Sequence, residues 1–196
     1  MTCLARRSAA EFEHLFVKEN KPMAKQVQSW TPPEGDELKI NVDGSFKMEQ
    51  CTGGWGFIIR NSNGEPVGAG AGSIKQAYDA LQTEAIACLA GLRWARSWGM
   101  SQVRIETDSQ KLFQAIVGSD QDLAVNGQLF REIKYFARLN FSRFSMYYCP
   151  RACNFVADAL ATYGASLEHE SPAVWLDDAP DFVRVLVASD FAVRTS

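Results

Sequence analysis

The sequence predicts one layered α/β domain, built on a mixed five-stranded sheet with helices on its faces. Three predicted strands follow one another directly, as in an antiparallel meander, and strands then alternate with helices, which is the order of parallel strand pairs. A length of 196 residues suffices for one core and is short for two. We therefore divide the chain into an N-terminal extension or linker (1–33), the domain (34–170) and a C-terminal tail that docks on it (171–196).

The domain begins after Trp30-Thr31-Pro32-Pro33, a segment that proline keeps extended. In the extension before it, residues 9–17 are expected to form a short helix. The first strand is predicted by the alternation of Leu38, Ile40 and Val42 with Lys39, Asn41 and Asp43. This alternation places Asp43 on the face opposite the apolar side chains.

The second and third strands are predicted at residues 55–60 and 65–73, and Asn63-Gly64 between them supplies the positive φ angles of a tight hairpin turn. A long helix follows over residues 78–98 and closes near Gly99. Its apolar stripe consists of Leu81, Ala85, Cys88, Leu89 and Leu92.

The rest of the domain alternates strands with helices. Strands are predicted at 102–106 and 142–148, and helices at 109–117, 126–139 and 154 to about 167. The tail has an apolar stretch at 183–187 between acidic residues, which we expect to dock as a short helix.

Composition narrows the class of protein. With 46% hydrophobic and 22% charged residues the chain is typical of soluble globular proteins, and no apolar run approaches the roughly 18 residues of a membrane helix. Five cysteines make a disulfide framework improbable, so we expect reduced thiols in an intracellular protein, nuclear or cytoplasmic. Organelle targeting stays open, because the early Arg and Ser residues are followed at once by Glu residues.

Four acids each have a structural reading beside a functional one. Asp43 precedes Gly44-Ser45 and suits a turn. Glu84 lies on the apolar stripe of the long helix, where it either reaches solvent from the edge or binds a ligand. Asp108 is placed to cap a helix, and Asp158 suits the positive end of a helix dipole.

The four positions gain weight together, because a first strand, a first helix, the end of a fourth strand and a last helix can meet at one sheet edge. Two divalent ions about 4 Å apart need such a density of carboxylates. Oxygen ligands favour Mg²⁺ or Mn²⁺ over zinc. A net charge of −3 argues against a nucleic-acid partner unless the acids present bound cations to it.

Four motifs in this order resemble the ribonuclease H family, specifically its plant-type branch, which occurs alone or fused to reverse transcriptases. The resemblance runs from Lys39 to Asp190. Its motifs are Asn41-Val42-Asp43-Gly44-Ser45, Thr83-Glu84-Ala85, Thr107-Asp108-Ser109-Gln110 and the segment Arg151–Leu160.

The resemblance implies a ribonuclease H-like fold and hydrolysis of the RNA strand of RNA/DNA hybrids with two Mg²⁺ ions, for which Mn²⁺ can substitute. The implied metal ligands are Asp43, Glu84, Asp108 and Asp158. The implied hybrid contacts are Gly44, Ser45, Ser109 and Asn154. Ser45 stands where related proofreading exonucleases carry a second acid, which favours the hybrid-cutting branch.

Two departures from the family pattern shape further expectations. Arg151 lies in a loop where many members carry a His, and we expect it to pair with a phosphate or help product leave. Residues 119–128 contain no Lys or Arg where some relatives carry a basic handle, so intrinsic affinity for nucleic acid should be weak. A protein partner or an adjacent nucleic-acid-binding domain would compensate, and we expect a monomer.

Two alternatives to an active nuclease remain open. One is a retired domain that binds nucleic acid or a protein without cutting, and the other is a purely structural interaction module. The aromatic residues also have two readings, as platforms for bases or as core, and their spacing favours the core. They are Trp55, Trp94, Trp98, Tyr147 and Tyr148.

Overall fold

The structure is a computed structural model that describes residues 29–118, 125–168 and 171–192. The helix expected at residues 9–17 lies outside these ranges. The elements in chain order are β1 Leu38–Lys47, β2 Thr52–Arg60, β3 Pro66–Ile74, α1 Ala80–Ser97, β4 Gln102–Thr107, α2 Gln110–Val117, α3 Gly127–Asn140, β5 Arg143–Tyr148, α4 Phe155–Gly164, β6 Ala173–Leu176 and α5 Asp181–Ala192.

The sheet is mixed, as predicted, with strand order β5-β4-β1-β2-β3-β6. The meander β1-β2-β3 is antiparallel, whereas β4 pairs in parallel with both β1 and β5. The predicted count of five strands is wrong, because β6 in the tail pairs antiparallel with β3. Four residues are too few to show an alternation, and the hydrogen bonds that make them a strand come from a segment about 100 residues away.

The structure differs from the sequence prediction at two expected turns, one at Asp43 and one between β2 and β3. β1 continues through Asp43 to Lys47 and pairs along its length with β2, so the reading of Asp43 as a turn residue is wrong. In the β2-β3 connection Gly64 has a φ of 81°, but Asn63 does not share the positive φ that we predicted. The Asn61 side chain instead accepts the N–H groups of Asn63 and Glu65, both at 3.0 Å.

Helices cover both faces of the sheet. On one face α1, α2 and α3 enclose a core around Ile40, Val42 and Phe57. On the other face α4 and α5 pack over Ile58 and the small residues of β3. None of the helices in the described part of the chain combines the length with the apolar character that crossing a membrane demands.

The core reading of the aromatic residues is confirmed for the three tryptophans, which pack against the first core. The rings of Trp94 and Trp98 are 5.5 Å apart. Tyr148 is an exception, since 48% of it is exposed.

Residues outside the predicted domain limits of 34–170 also contact the domain. Trp30 is 1% exposed, and the carbonyl of Thr31 accepts a hydrogen bond of 2.6 Å from the Lys39 ammonium. At the other end, Asp190 of α5 forms an ion pair of 2.6 Å with Arg60 of β2. The division into extension, domain and tail stays a prediction, and both flanking segments pack on the sheet.

α4 lies directly on the backbone of β2, because that strand carries glycine on the contact face. A Cβ added at Gly56 would lie 2.3 Å from the backbone nitrogen of Ala161, and one at Gly54 would lie 2.1 Å from that of Ala165. No side chain fits in either place. The contact sets the height of α4 over the sheet, and with it the position of Asp158.

Replacing Gly56 with Ala should lower the free energy of unfolding by about 2 kcal/mol or more, because the new methyl group meets backbone that cannot move aside. Gly91→Ala is the matched control, since a Cβ there meets only side-chain atoms, the nearest at 3.2 Å. A gain in helix propensity of about 1 kcal/mol offsets that crowding. Urea denaturation measures both variants, and equal losses would show that α4 does not depend on this contact.

Candidate active site

Three of the four predicted metal ligands come together at one edge of the sheet. Asp43, Glu84 and Asp108 each offer a carboxylate oxygen, and these atoms all lie within 4.8 Å of one another. Asp158 is not a member of this group. Its charge nevertheless acts on Asp43, so the fourth acid lies at the margin of the cluster.

Strand register brings Asp43 and Asp108 side by side. β1 and β4 are parallel neighbours, and their last pair is Asn41 with Glu106. Asp43 and Asp108 each stand two residues further along, so their side chains reach the same end of the sheet. This juxtaposition follows from the parallel pairing of strands that are about 60 residues apart.

Glu84 joins them because α1 approaches β1 without an intervening side chain. A Cβ at Gly44 would lie 2.3 Å from the backbone carbon of Thr83 and 2.4 Å from the backbone nitrogen of Glu84. The Gly44 backbone N–H also lowers the pKa of the Glu84 carboxyl group, so it favours the ionised form. The predicted contact of Gly44 with a hybrid stays a prediction, whereas its contact with α1 is a feature of the fold.

The Glu84 carboxylate is not satisfied by the protein alone. Its Oε2 atom is buried and has no hydrogen-bond partner in the structure. Glu84 as a whole is half-buried and lines a groove open to solvent, so the alternative that it reaches solvent from the edge of the apolar stripe stays open. A buried carboxylate oxygen without a partner costs free energy, so this atom calls for a ligand.

Asp108 is free of the capping role that local sequence offered it. The side chain that caps α2 is Ser109, whose hydroxyl accepts the N–H of Leu112 at 3.3 Å. The reading of Asp108 as an N-cap is wrong by one residue, because Asp108 lies between the strand and the helix. Asp108 instead accepts a hydrogen bond of 3.3 Å from the amide of Asn154.

Asn154 is 2% exposed, and its amide also donates to the carbonyl of Val42 at 3.0 Å. Sequence reasoning expected Asn154 and Ser109 to contact a hybrid, and both of those contacts stay predictions. In this structure the two side chains hold Asp108 and the start of α2. Ser45 is half-buried on β1 opposite Gly54, beside the acids.

Crowding of the acids shifts their proton affinities. Burial, and then the charge of Asp108 and Asp158, raises the pKa of Asp43 well above its ordinary value. Burial, and then the charge of Asp43 and Asp108, raises the pKa of Glu84, which the Gly44 hydrogen bond only partly opposes. Both groups release their protons more readily once a cation is present.

Asp158 is in the first turn of α4, where its charge suits the helix dipole. Its carboxylate forms an ion pair of 2.8 Å with Arg151, and the two side chains are 36% and 70% exposed. Such an exposed pair contributes little stability and exchanges easily. Asp158 is therefore available to another cation.

The cluster fits a divalent metal ion on the chemistry of its donors. Asp43, Glu84 and Asp108 offer carboxylate oxygens only, which suits hard cations such as Mg²⁺ and Mn²⁺. The unpartnered oxygen of Glu84 points to the same conclusion, because a cation would supply the missing partner.

A groove beside the acids leads away from Glu84. It is open to solvent and has a volume of about 600 Å³. Two exposed side chains, Met48 and Tyr78, lie along it together with Lys111 and Ser109. Its lining combines apolar and aromatic groups with one basic side chain, Lys111, and two acidic ones, Asp79 and Glu84.

Basic residues that the sequence analysis did not single out lie on α3. The absence of Lys and Arg from residues 119–128 led us to expect weak affinity, but Arg131, Lys134 and Arg138 follow at helical spacing and surround a surface pocket with Tyr135. The spacing of three and four residues was the signal that would have found them.

The model of a family described as reverse transcriptase-like matches residues 41–164. A search of curated protein sequences gave no match.

Several solved structures are similar to the chain. The N-terminal RNase H domain of Rv2228c from Mycobacterium tuberculosis, solved as a fusion with maltose binding protein, is 21% identical with a TM-score of 0.60, and the match covers 67% of this chain and 94% of that one. RNase H1 from the archaeon Halobacterium salinarum is 25% identical with a TM-score of 0.56, covering 65% and 96%. LC11-RNase H1, isolated from compost and solved with an RNA/DNA hybrid, is 18% identical with a TM-score of 0.58, covering 65% and 96%.

The family match spans well over half of the chain, and the solved structures share its sheet and helices over nearly their whole lengths. The chain belongs to the reverse transcriptase-like family and carries a ribonuclease H-like domain.

Proposed function

We propose that this domain is an endonuclease that hydrolyses the RNA strand of RNA/DNA hybrids with divalent metal ions, Mg²⁺ or in its place Mn²⁺. The observation that carries the proposal is the group of three carboxylates, one of which has a buried oxygen without a partner, at the sheet edge of a ribonuclease H-like fold. Structural carboxylates are normally hydrogen-bonded, so this arrangement is suited to cations rather than to stability.

The residues that would hold the metal are Asp43, Glu84 and Asp108, with Asp158 joining when its pair with Arg151 opens. Two ions bound there would activate a water molecule for attack on the phosphate and stabilise the leaving 3′ oxygen. Asp43 lies among the other acids, since the charges of Asp108 and Asp158 raise its pKa and its own charge raises the pKa of Glu84.

The protein's own part is to hold these groups ready. Gly44 fixes the distance between β1 and α1 and its N–H favours the ionised form of Glu84, while Asn154 donates a hydrogen bond to Asp108. Positions set before substrate arrives need no reorganisation during the reaction. Arg151 is 70% exposed beside Asp158 and is placed to meet a phosphate or a leaving product.

Basic side chains on the surface favour a polyanionic substrate. The groove beside Glu84 carries Lys111, and α3 presents Arg131, Lys134 and Arg138. Phosphate contacts of this kind give affinity, whereas the 2′-hydroxyl groups distinguish the RNA strand. One similar structure, LC11-RNase H1, was solved with an RNA/DNA hybrid, which agrees with the proposed substrate class.

The protein should cut the RNA strand of a labelled RNA/DNA hybrid in the presence of Mg²⁺ or Mn²⁺, and should not do so with Ca²⁺ or EDTA. Plain RNA duplex and DNA duplex are the control substrates. Binding of the hybrid without any cleavage, at low salt and with folding verified by circular dichroism, would favour a retired module that binds nucleic acid or a protein.

Glu84→Gln should reduce cleavage by orders of magnitude, because the variant keeps the shape and loses a metal ligand. Its stability without metal should equal or exceed that of the wild type, since repulsion with Asp43 and Asp108 is relieved. Glu132→Gln is the matched control, because Glu132 is an exposed acid paired with Arg93 on another surface. Normal cleavage by Glu84→Gln would remove Glu84 from the proposed metal ligands.

The same variant tests the pH dependence of stability. The folded protein holds protons on Asp43 and Glu84 that the unfolded chain releases above about pH 4, and the folded pKa of Asp43 is raised to about 8. Unfolding should therefore become easier as the pH rises between these values. We expect thermal denaturation without metal to show this slope in wild type and a smaller slope in Glu84→Gln. At high pH added Mg²⁺ should restore more stability to wild type than to the variant.

Arg151→Ala should slow multiple turnover while metal affinity is kept or increases, because Asp158 loses a competing cation. Arg184→Ala is the control, since Arg184 of α5 forms a comparably exposed ion pair with Asp178. Single-turnover and multiple-turnover rates across a salt series separate phosphate contact from product release. A variant that matches wild type at every salt concentration would show that Arg151 has neither role.

A further inference from the structure

A buried polar cluster lies next to the acids, on the side of the sheet that α4 and α5 cover. Its centre is formed by Asn41 of β1 and Arg60 of β2, which are 0% and 1% exposed. Polar groups at this depth cost free energy unless they bond to one another. Successive contacts connect this cluster on one side to Trp30 and Asp190, and on the other side to Asp108.

Arg60 is held from two sides by residues that flank the domain. The Trp30 ring lies 3.4 Å from the guanidinium carbon, and the Asp190 carboxylate lies 2.6 Å from Nη1. A second donor, Nη2, bonds to Oδ1 of Asn41 at 3.0 Å, while Nε is buried and has no hydrogen-bond partner. The guanidinium thus has one orientation, which aims a donor at Asn41.

Asn41 receives two donors on the same atom. Its Oδ1 accepts from Nη2 of Arg60 and, at 2.8 Å, from Nε1 of Trp30. Neither donor is able to accept a hydrogen bond, so the carbonyl of the amide must face them. The amino group of Asn41 therefore faces the other way, where it donates to Oδ1 of Asn154 at 3.2 Å and, over longer distances, to Oε2 of Glu106 at 3.4 Å and to the carbonyl of Cys153 at 3.5 Å.

The same reasoning fixes Asn154. Because its Oδ1 accepts from Asn41, its amino group points at the carbonyl of Val42 and at Oδ1 of Asp108. If either amide were reversed, oxygen would face oxygen at one end of the chain of bonds. The Arg60 donor, acting through Asn41, and the Val42 carbonyl thus favour the same orientation of Asn154, in which an N–H and not the carbonyl oxygen faces Asp108.

We propose that Arg60, Asn41 and Asn154 form a positioning relay, which orients the carboxylate of Asp108 for metal binding and depends on Trp30 and Asp190. This inference rests on the proposed function of Asp108 as a metal ligand. Trp30 and Asp190 lie outside residues 41–164, the segment that matches the family. The segment before β1 and the helix α5 thereby act on the site without reaching it.

Asn41→Asp tests the relay with little change of shape. The carboxylate still accepts from Arg60 and Trp30, but it no longer donates to Asn154, nor over the longer distances to Glu106 and Cys153. If charge alone mattered, another acid near the cluster would strengthen cation binding. The relay predicts the opposite, a loss of Mn²⁺ affinity and of cleavage rate of about tenfold or more.

Arg60→Met is the second variant, because it removes the whole guanidinium and keeps an unbranched side chain in place of its aliphatic part, and it should have the same effects. Arg104→Met is the matched control for the loss of a partly buried arginine. Arg104 lies on β4, forms an ion pair of 2.7 Å with Glu37 and does not bond to the relay. It should lose stability while Mn²⁺ affinity and cleavage stay at the wild-type level.

Three measurements on the full chain separate the outcomes: Mn²⁺ affinity by calorimetry, hybrid cleavage, and hydrogen exchange of the Asn154 side-chain amide without metal. We expect slow exchange in wild type and Arg104→Met, and faster exchange in Asn41→Asp. Unchanged exchange in Asn41→Asp would overturn the relay, whether or not the protein cuts. Faster exchange with unchanged Mn²⁺ affinity would overturn its positioning role. If wild type binds Mn²⁺ without cutting, and the variant loses that binding, the relay stands and the proposed nuclease function fails.

Discussion

The packing of this domain has to overcome the repulsion among three carboxylates, whose oxygen atoms lie within 4.8 Å of one another. Asp43 and Glu84 are unfavourable as ions where they stand, because burial and the charge of neighbouring acids, Asp108 among them, raise their pKa values. A fold keeps such a group only if the surrounding packing fixes the backbone that carries it. The stable parts of this domain, a mixed sheet and two cores, supply that packing.

Close contact between backbones is the means by which the acids are brought together. Gly44 lets α1 lie directly on β1, and Gly56 lets α4 lie directly on β2. The helices that carry Glu84 and Asp158 therefore lie at fixed heights over the sheet. N–H donors then act on the carboxylates, because the Gly44 N–H favours the ionised form of Glu84 and the Asn154 amide donates a hydrogen bond to Asp108. Distance is set by the glycines and orientation by the donors, which are separate tasks for separate residues.

The sequence by itself determined the order of elements, the mixed sheet and the candidates for the site. Alternation in β1 placed Asp43 and Asn41 on one face, and the apolar stripe of α1 made Glu84 an anomaly. These patterns are local, since side-chain periods of two and of 3.6 residues hold whatever the rest of the chain does. The family motifs were readable for the same reason, each lying within a single short segment.

Only the tertiary structure decided which local roles were real. Ser109 rather than Asp108 caps α2, and β1 runs on through Asp43 instead of turning, because hydrogen bonds from β2 outweigh the turn preference of Asp and Gly. The strand β6 and the contact of Asp190 with Arg60 join segments more than 100 residues apart, which no window of sequence contains. Pairing and burial at such separations are set by packing of the whole chain, so the support of the site became visible only in three dimensions.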